Sequence, residues 1–549
     1  MLSETYAADL RGAFIAFGVA AAVVGLLAVT FAFRLRRSSR GLSRGSALAL
    51  TFIALAAVGT AYWWLFLDTY YRVRATEEAV ELRLALPDRD VRIPRAEVAR
   101  FAIEPAPRGT ARLVIETTSG HRYYSPPAPR TNRVDAAERL GNMMKPDMNQ
   151  IAERYVRLVL QVGLHDTDFV DAYYGPQEFR PAEGATPRPL DTLVAEAAFL
   201  LADAEAVDPG ASPDELSRLR QRYLVDQLRA VHTRLRMLEG ERFDFEEESR
   251  LLYGAEAPVN TEASFQSVLD ELESLLPGDG PLIERYDAFR SRFVVPRARL
   301  DRVFTTAIDE CRRRTREHLA LPEDEAFTVE YVTGKSWSAY NWYQGGFQSL
   351  IQVNTDLPIT IDRAIDLACH EGYPGHHVYN VLLEQRLVRE RRWIEFSVYP
   401  LFSPQSLIAE GTANFGIEMA FPGGTRIDWE RDVLFPAAGL DPAGAERYYD
   451  VQARVERLAY AGNEAARRYL NGDITREQAV AWLERYAMMP RDRAEQRTRF
   501  FDQYRSYVIN YNLGRDLVRA WVDREAPDGN RWPAFERLLS SPRLPSSLR

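Results

Sequence analysis

Three of the chain's seven histidines stand in one short stretch, HEGYPGHHVYN at 370–380. Imidazoles beside a carboxylate form the donor set that holds zinc while leaving a position open for water. In the familiar spacing, H-E-x-x-H, two histidines share a helix face one turn apart and the glutamate acts as general base. Here His376 and His377 come six and seven residues after His370, with Pro374 and Gly375 between them. On a regular helix, residues six apart lie ~9 Å apart along the axis and point in different directions. His377 would share the face of His370, but two turns away. Pro374 changes this, because it has no N–H for the carbonyl of His370 and its ring clashes with that carbonyl. A loosened turn at Pro374-Gly375 brings His376 back over His370. A helix that runs straight through favours His377.

The helix that carries His370 starts cleanly, with Thr360 as N-cap and Asp362 in the first turn, where the helix dipole favours an acid. Ile361, Ala364, Ile365, Ala368 and Gly372 form an apolar stripe, and His370 falls on the opposite face with Arg363 and Asp366. Zinc with an open position needs a third protein ligand. SPQSLIAEGTANFGIEMAF (403–421) offers one, in a helix capped by Ser403 with Pro404 at its first position. Glu410, Asn414 and Glu418 recur every four residues along it. Glu410 can ligate while Asn414, Glu418 or His377 supports the ligands from behind. The bland alternative is a solvated stripe on a surface helix.

HEGYPGHH together with AEGTANFGIE resembles the domain-of-unknown-function 885 family, whose pattern is His-Glu-x-x-Pro-Gly-His followed by a helix opening Glu-Gly-x-Ala. That family is similar to metallopeptidases with a His-Glu zinc helix and a downstream glutamate ligand. The resemblance covers roughly 147–520. It implies His370, His376 and Glu410 as zinc ligands, Glu371 as catalytic base, and Tyr511, which precedes Asn512-Leu513-Gly514, as a family tyrosine. Thr412 and Phe415 stand where the family tends to have Trp and Tyr, and Glu418 lies one position later than its family counterpart.

The chemistry suits these types. Two neutral imidazoles and one carboxylate leave zinc a net positive charge, so a bound water can reach a pKa of ~7. Glu371 would take that water's proton and deliver it to the leaving amine. The oxyanion needs a further donor, and YRSYVINYNLG offers Tyr504, Tyr507 and Tyr511. Strands FTVEYVT, AYNWY and FQSLIQVNT (327–355) precede the His-Glu helix, the last two joined at Gly345-Gly346. By analogy with His-Glu metallopeptidases, FQSLIQVNT is expected as an edge strand that takes substrate main chain.

Positioning these groups falls to a mainly α-helical domain over 147–549, with a small β-sheet beside the active-site helix. Amphipathic runs such as DMNQIAERYVRLVLQVGL carry the 3.6-residue period. Residues 69–128 alternate in short β-rich runs and are expected as a small β-rich domain, with 129–146 as a linker. At the N-terminus, 12–33 and 46–67 are charge-free and each ~20 residues long, enough to span a bilayer. They predict a transmembrane hairpin over 1–68. Five arginines between them (Arg34, Arg36, Arg37, Arg40, Arg44) place the linker inside and both chain ends outside. The catalytic domain would then be periplasmic or extracellular.

A net charge of −9 argues against a nucleic-acid partner. Cys311 and Cys369 alone allow at most one disulfide and no thiolate zinc cluster. The expected partners are a peptide substrate and the lipid bilayer. Two rival readings are a catalytically silent membrane scaffold and a metal-dependent amidase or esterase on a non-peptide substrate.

Overall fold

A computed structural model describes residues 2–5, 7–37, 46, 49, 52–53, 56–60, 67–76, 79–85, 87–117, 119–143, 147–208, 214–335 and 337–548. They separate into two compact units, Met1–Pro146 and Asp147–Arg549.

The first unit holds β1 (Leu2–Thr5), a helix over Ala7–Arg37, and seven strands: β2 (Tyr70–Ala75), β3 (Ala79–Leu84), β4 (Asp90–Pro94), β5 (Val98–Pro105), β6 (Thr110–Thr117), β7 (Arg122–Tyr124) and β8 (Ala128–Pro129). One antiparallel sheet runs β1-β2-β3-β4; the other runs β5-β6-β7, with β8 also on β6. Alternation explains the first sheet's inner face, since Val80, Leu82 and Leu84 of β3 are buried while Glu81 and Arg83 are not. Residues 130–143, expected as linker, instead form a helix, Arg130–Met143. Ala136 and Leu140, four apart, give it one apolar strip, and it is buried with Val73, Leu82, Leu113 and Ile115.

The N-terminal hairpin is not established in these residues. Its first expected span lies in the helix Ala7–Arg37, where side chains are described without a break only over 17–31. Most of the second, 46–67, falls outside the described residues. Among described residues, no helix is long and apolar enough to cross a membrane.

The second unit is mostly helical around one large apolar core. Its three-stranded sheet consists of β10 (Ala326–Val332), β11 (Ala339–Gly345) and β12 (Gln348–Asn354); a two-stranded ribbon pairs β9 (Val170–Tyr173) with β13 (Val398–Pro400). FQSLIQVNT is not an edge strand. β12 lies in the centre, parallel to β10 and antiparallel to β11, so its backbone is used on both sides. Four helical segments matter most below: the His-Glu helix (Ile361–Leu367), the Glu410 helix (Pro404–Ala420), the arginine helix (Arg491–Tyr504) and the tyrosine helix (Ile509–Glu525).

Candidate metal centre

The His-Glu helix begins at Thr360 and buries Ile361, Ala364 and Ile365, as the stripe predicts. Over Ala368–Gly372 it widens into a π turn, then breaks, and a second helix restarts at His376 and runs to Leu383. Pro374 can donate nothing to the ladder, so the chain turns there. The Gly375 amide donates to the Cys369 carbonyl at 2.9 Å. A Cβ on Gly375 would lie 1.9 Å from the carbonyl oxygen of His370, so only glycine fits this return. The result is the predicted approach: His370 Nε2 and His376 Nε2 lie 3.1 Å apart.

Glu410 completes the cluster. Its Oε2 is 3.3 Å from His370 Nε2 and 3.8 Å from His376 Nε2. The helix that carries it is buried along most of its length, and Glu410 itself is buried. Glu410 Oε1 accepts from the Tyr507 hydroxyl at 2.8 Å, whereas Oε2 is buried without any hydrogen bond. A buried carboxylate oxygen aimed at two imidazole nitrogens, and otherwise unsatisfied, fits a cation. The three donor atoms lie within 4.8 Å of one another.

Asn414 lies against His370. Its Oδ1 is 3.2 Å from His370 Nδ1, which leaves Nε2 as the lone-pair nitrogen facing the cluster. Its Nδ2 donates to the carbonyls of Glu410 and Tyr511. Glu418 does not take part: it pairs with Arg519 on the tyrosine helix, part-way into solvent. His377 also points elsewhere. It is wholly buried, with Nδ1 2.9 Å from Ser349 Oγ on β12 and Nε2 2.9 Å from Glu325 Oε2. Ser403 starts its helix, but its hydroxyl donates back to the Pro400 carbonyl rather than capping.

The electrostatics follow from burial. Burial pushes the His376 imidazole down to about 4, helped by the neighbouring His370, so it stays a neutral donor. For His370 burial acts in the same direction, but the close approach of the Glu410 carboxylate and the charge of Glu371 outweigh it and raise the value. Burial also opposes the charge on Glu410, yet His370 and His376 hold its carboxyl below the usual range. Burial lifts the Glu371 carboxyl to about 7, with Glu410 adding and His370 and Arg363 opposing. A carboxyl at that value can exchange protons near neutrality.

No protein-family model matches the chain, and no curated protein does either. Among solved structures, it is similar to a candidate lipoprotein from Colwellia psychrerythraea at 15% identity, covering 76% of this chain and 77% of that one, with a TM-score of 0.40. A candidate lipoprotein of unknown function from Shewanella oneidensis gives 12%, 77% and 78%, with a TM-score of 0.36. Likeness this distant fixes neither fold nor function.

Several residues around the cluster escape a reading of motifs. Gly411 and Gly514 let two helices touch backbone to backbone: a Cβ on Gly411 would lie 2.5 Å from the Gly514 carbonyl carbon. That contact sets Tyr507 against Glu410 and brings Tyr511 close enough to feel the charges of Glu410 and Glu371. Asn341 on β11 donates to the Glu371 carbonyl at 2.7 Å. Asp171 on β9 accepts from the Tyr340 hydroxyl at 3.0 Å; burial, with the charges of Glu410 and Glu371 adding, pushes it up to about 7. The sequence around it, GLHDTDFVDAYYGP (163–176), reads as a helix end with a turn, and only its aspartates among aromatics mark it. Cys311 and Cys369 are buried free thiols, with Sγ atoms 2.9 Å apart behind the ligand turn.

Proposed function

We propose that this chain is a membrane-anchored zinc-dependent hydrolase that cleaves peptide bonds. The observation that carries the reading is the unsatisfied, buried Glu410 Oε2 facing His370 Nε2 and His376 Nε2. His370, His376 and Glu410 would hold the ion, which when bound supplies Lewis acidity and an acidified water. The remaining work belongs to the chain. Glu371, poised near neutrality, accepts a proton and returns it to the leaving amine. Asn414 keeps the His370 tautomer, and Tyr507 fixes one Glu410 oxygen so that the other faces the histidines. Tyr511, whose hydroxyl has no hydrogen-bond partner among described residues, is the candidate donor to the oxyanion.

The anchor is inferred from the first unit. Ile15, Val19, Leu26, Leu27 and Phe31 of the long N-terminal helix are exposed, an apolar surface suited to lipid. β1 pairs antiparallel with β2, so the chain that departs at Ala7 is back beside its start by Tyr70, as a two-span hairpin requires. With the arginine-rich linker inside, the catalytic unit would face the periplasm or exterior. An anchored chain stays with membranes through a high-salt wash and leaves them only in detergent; release by salt alone would remove the anchor.

The mechanism is tested with Glu371→Gln, which keeps shape but cannot take the proton. Metal content should match wild type while turnover of a mixed peptide library falls by about 10²–10⁴-fold. Unchanged turnover would remove Glu371 from the mechanism. A wild type that binds zinc but cleaves only esters or non-peptide amides would shift the substrate class.

A further inference from the structure

Beside Tyr511 stands one arginine, Arg497, that has no carboxylate partner among the described residues. Most buried arginines in this unit are matched: Arg220 with Glu395, Arg234 with Asp166, Arg467 with Glu464. Arg497, on the arginine helix, is not. Its guanidinium carbon lies 4.6 Å from the ring centre of Phe500 and 5.8 Å from that of Tyr511, and its Nε is buried without a hydrogen bond. Among the described residues no carboxylate reaches it; burial depresses its charge, and only the Tyr511 hydroxyl opposes that. Arg493, one turn earlier, is also buried enough to be disfavoured, and its charged neighbours are Arg290, Arg363 and the adjacent Asp492. Arg363 lies on the His-Glu helix seven residues before His370 and acts electrostatically on both His370 and Glu371.

A guanidinium whose Nε is buried without a partner is costly, and one kept beside Tyr511 points to an anion that arrives with the substrate. We propose that Arg497, with Arg493 one turn earlier on the same helix, is a subsite for a carboxylate of the substrate, so that the enzyme prefers peptides carrying a carboxylate next to the cleaved bond. Guanidinium matches carboxylate through two parallel hydrogen bonds, which a lysine cannot reproduce. The carboxylate can be the peptide's own C-terminus, as in a carboxypeptidase, or an acidic side chain. This inference deepens the hydrolase reading and rests on it for the word substrate, but not for binding.

Binding is therefore the readout. Full-length zinc-loaded protein in detergent is titrated calorimetrically with three ligands: an N-acetyl dipeptide of alanine as the free acid, its C-terminal amide, and an amide with glutamate at the last position. The free acid should bind about tenfold or more tightly than the amide, the scale of a hydrogen bond to a charged group. Arg497→Gln should erase that difference, and Arg497→Lys should keep only part of it. Recovery of tight binding by the glutamate amide assigns the side chain as the source; its failure assigns the C-terminus. Equal binding of all three ligands by wild type overturns the proposal. So does a preference that survives Arg497→Gln. If that variant does not fold, Arg497→Lys together with Arg493→Gln decides, since an unchanged preference in both is equally fatal. Absence of peptide cleavage with the carboxylate preference intact would instead strike the hydrolase reading alone.

Discussion

His376 and His377 are neighbours in sequence, both largely buried and both near a glutamate, yet they sit in opposite situations. Around His377 every polar valence is used: Ser349 takes one nitrogen, and Glu325 takes the other. Glu325 itself also receives Tyr373, Arg312 and Arg316. Around His376 the count does not close. Glu410 keeps one buried oxygen unsatisfied, and the two imidazole Nε2 atoms face each other 3.1 Å apart beside it. A saturated cluster holds a fold together, and an unsaturated one of the same residue types has lone pairs left that could take a ligand. The two differ in what their last lone pairs meet, which residue identity does not reveal.

The sharpest way to break this comparison is to truncate each histidine. His376→Ala should lose zinc while its metal-free stability changes little, because Glu410 retains His370 and Tyr507. His377→Ala should retain zinc but destabilise the fold toward the lower end of about 3–5 kcal/mol, since it leaves Glu325 buried with only part of its compensation. Metal content and urea midpoints, read side by side, check both. Loss of zinc in His377→Ala with an intact fold would reverse the assignment.

A smaller effect, but a second axis, is pH. Burial alone would raise Glu325, yet the hydrogen bonds from His377, Tyr373 and Arg316 bring it down to about 2. An unfolded glutamate titrates at ~4.3, so the unfolded chain binds more protons between these values. The stability from this cluster is therefore complete above ~4.3 and disappears as pH falls toward about 2. The proposed metal cluster needs neutral imidazoles, and protons contest His370 first, because its value is raised, while His376 stays neutral down to about 4. Acidification should thus release zinc while the helical signal persists, and unfold the chain only at lower pH. Glu325→Gln should flatten the second step and leave the first. Simultaneous loss of zinc and helicity would show that the clusters are not independent.

The break between His370 and His376 is legible in the residues alone. Pro374 and Gly375 imply a break in the helix because proline lacks an N–H and glycine lacks a Cβ, and those facts hold in any fold. They also favour His376 over His377. The stripe that includes Asn414 and Glu410, the three strands before the His-Glu helix and the helical character of the second unit follow from spacing in the same way. Tertiary structure decided the rest. Glu418, on the periodic stripe, is drawn off to Arg519, because the helix wraps far enough in eight residues for its end to reach another partner. Tyr507 meets Glu410 only because Gly411 and Gly514 allow two backbones to touch across a hundred residues of chain. Asp171, Asn341 and Arg497 reach the site from separate elements, with no motif to announce them. Local rules act over a turn or two of helix, while burial and the satisfaction of polar groups are properties of the whole packed unit, and those decide which of two adjacent histidines is left with a lone pair to offer.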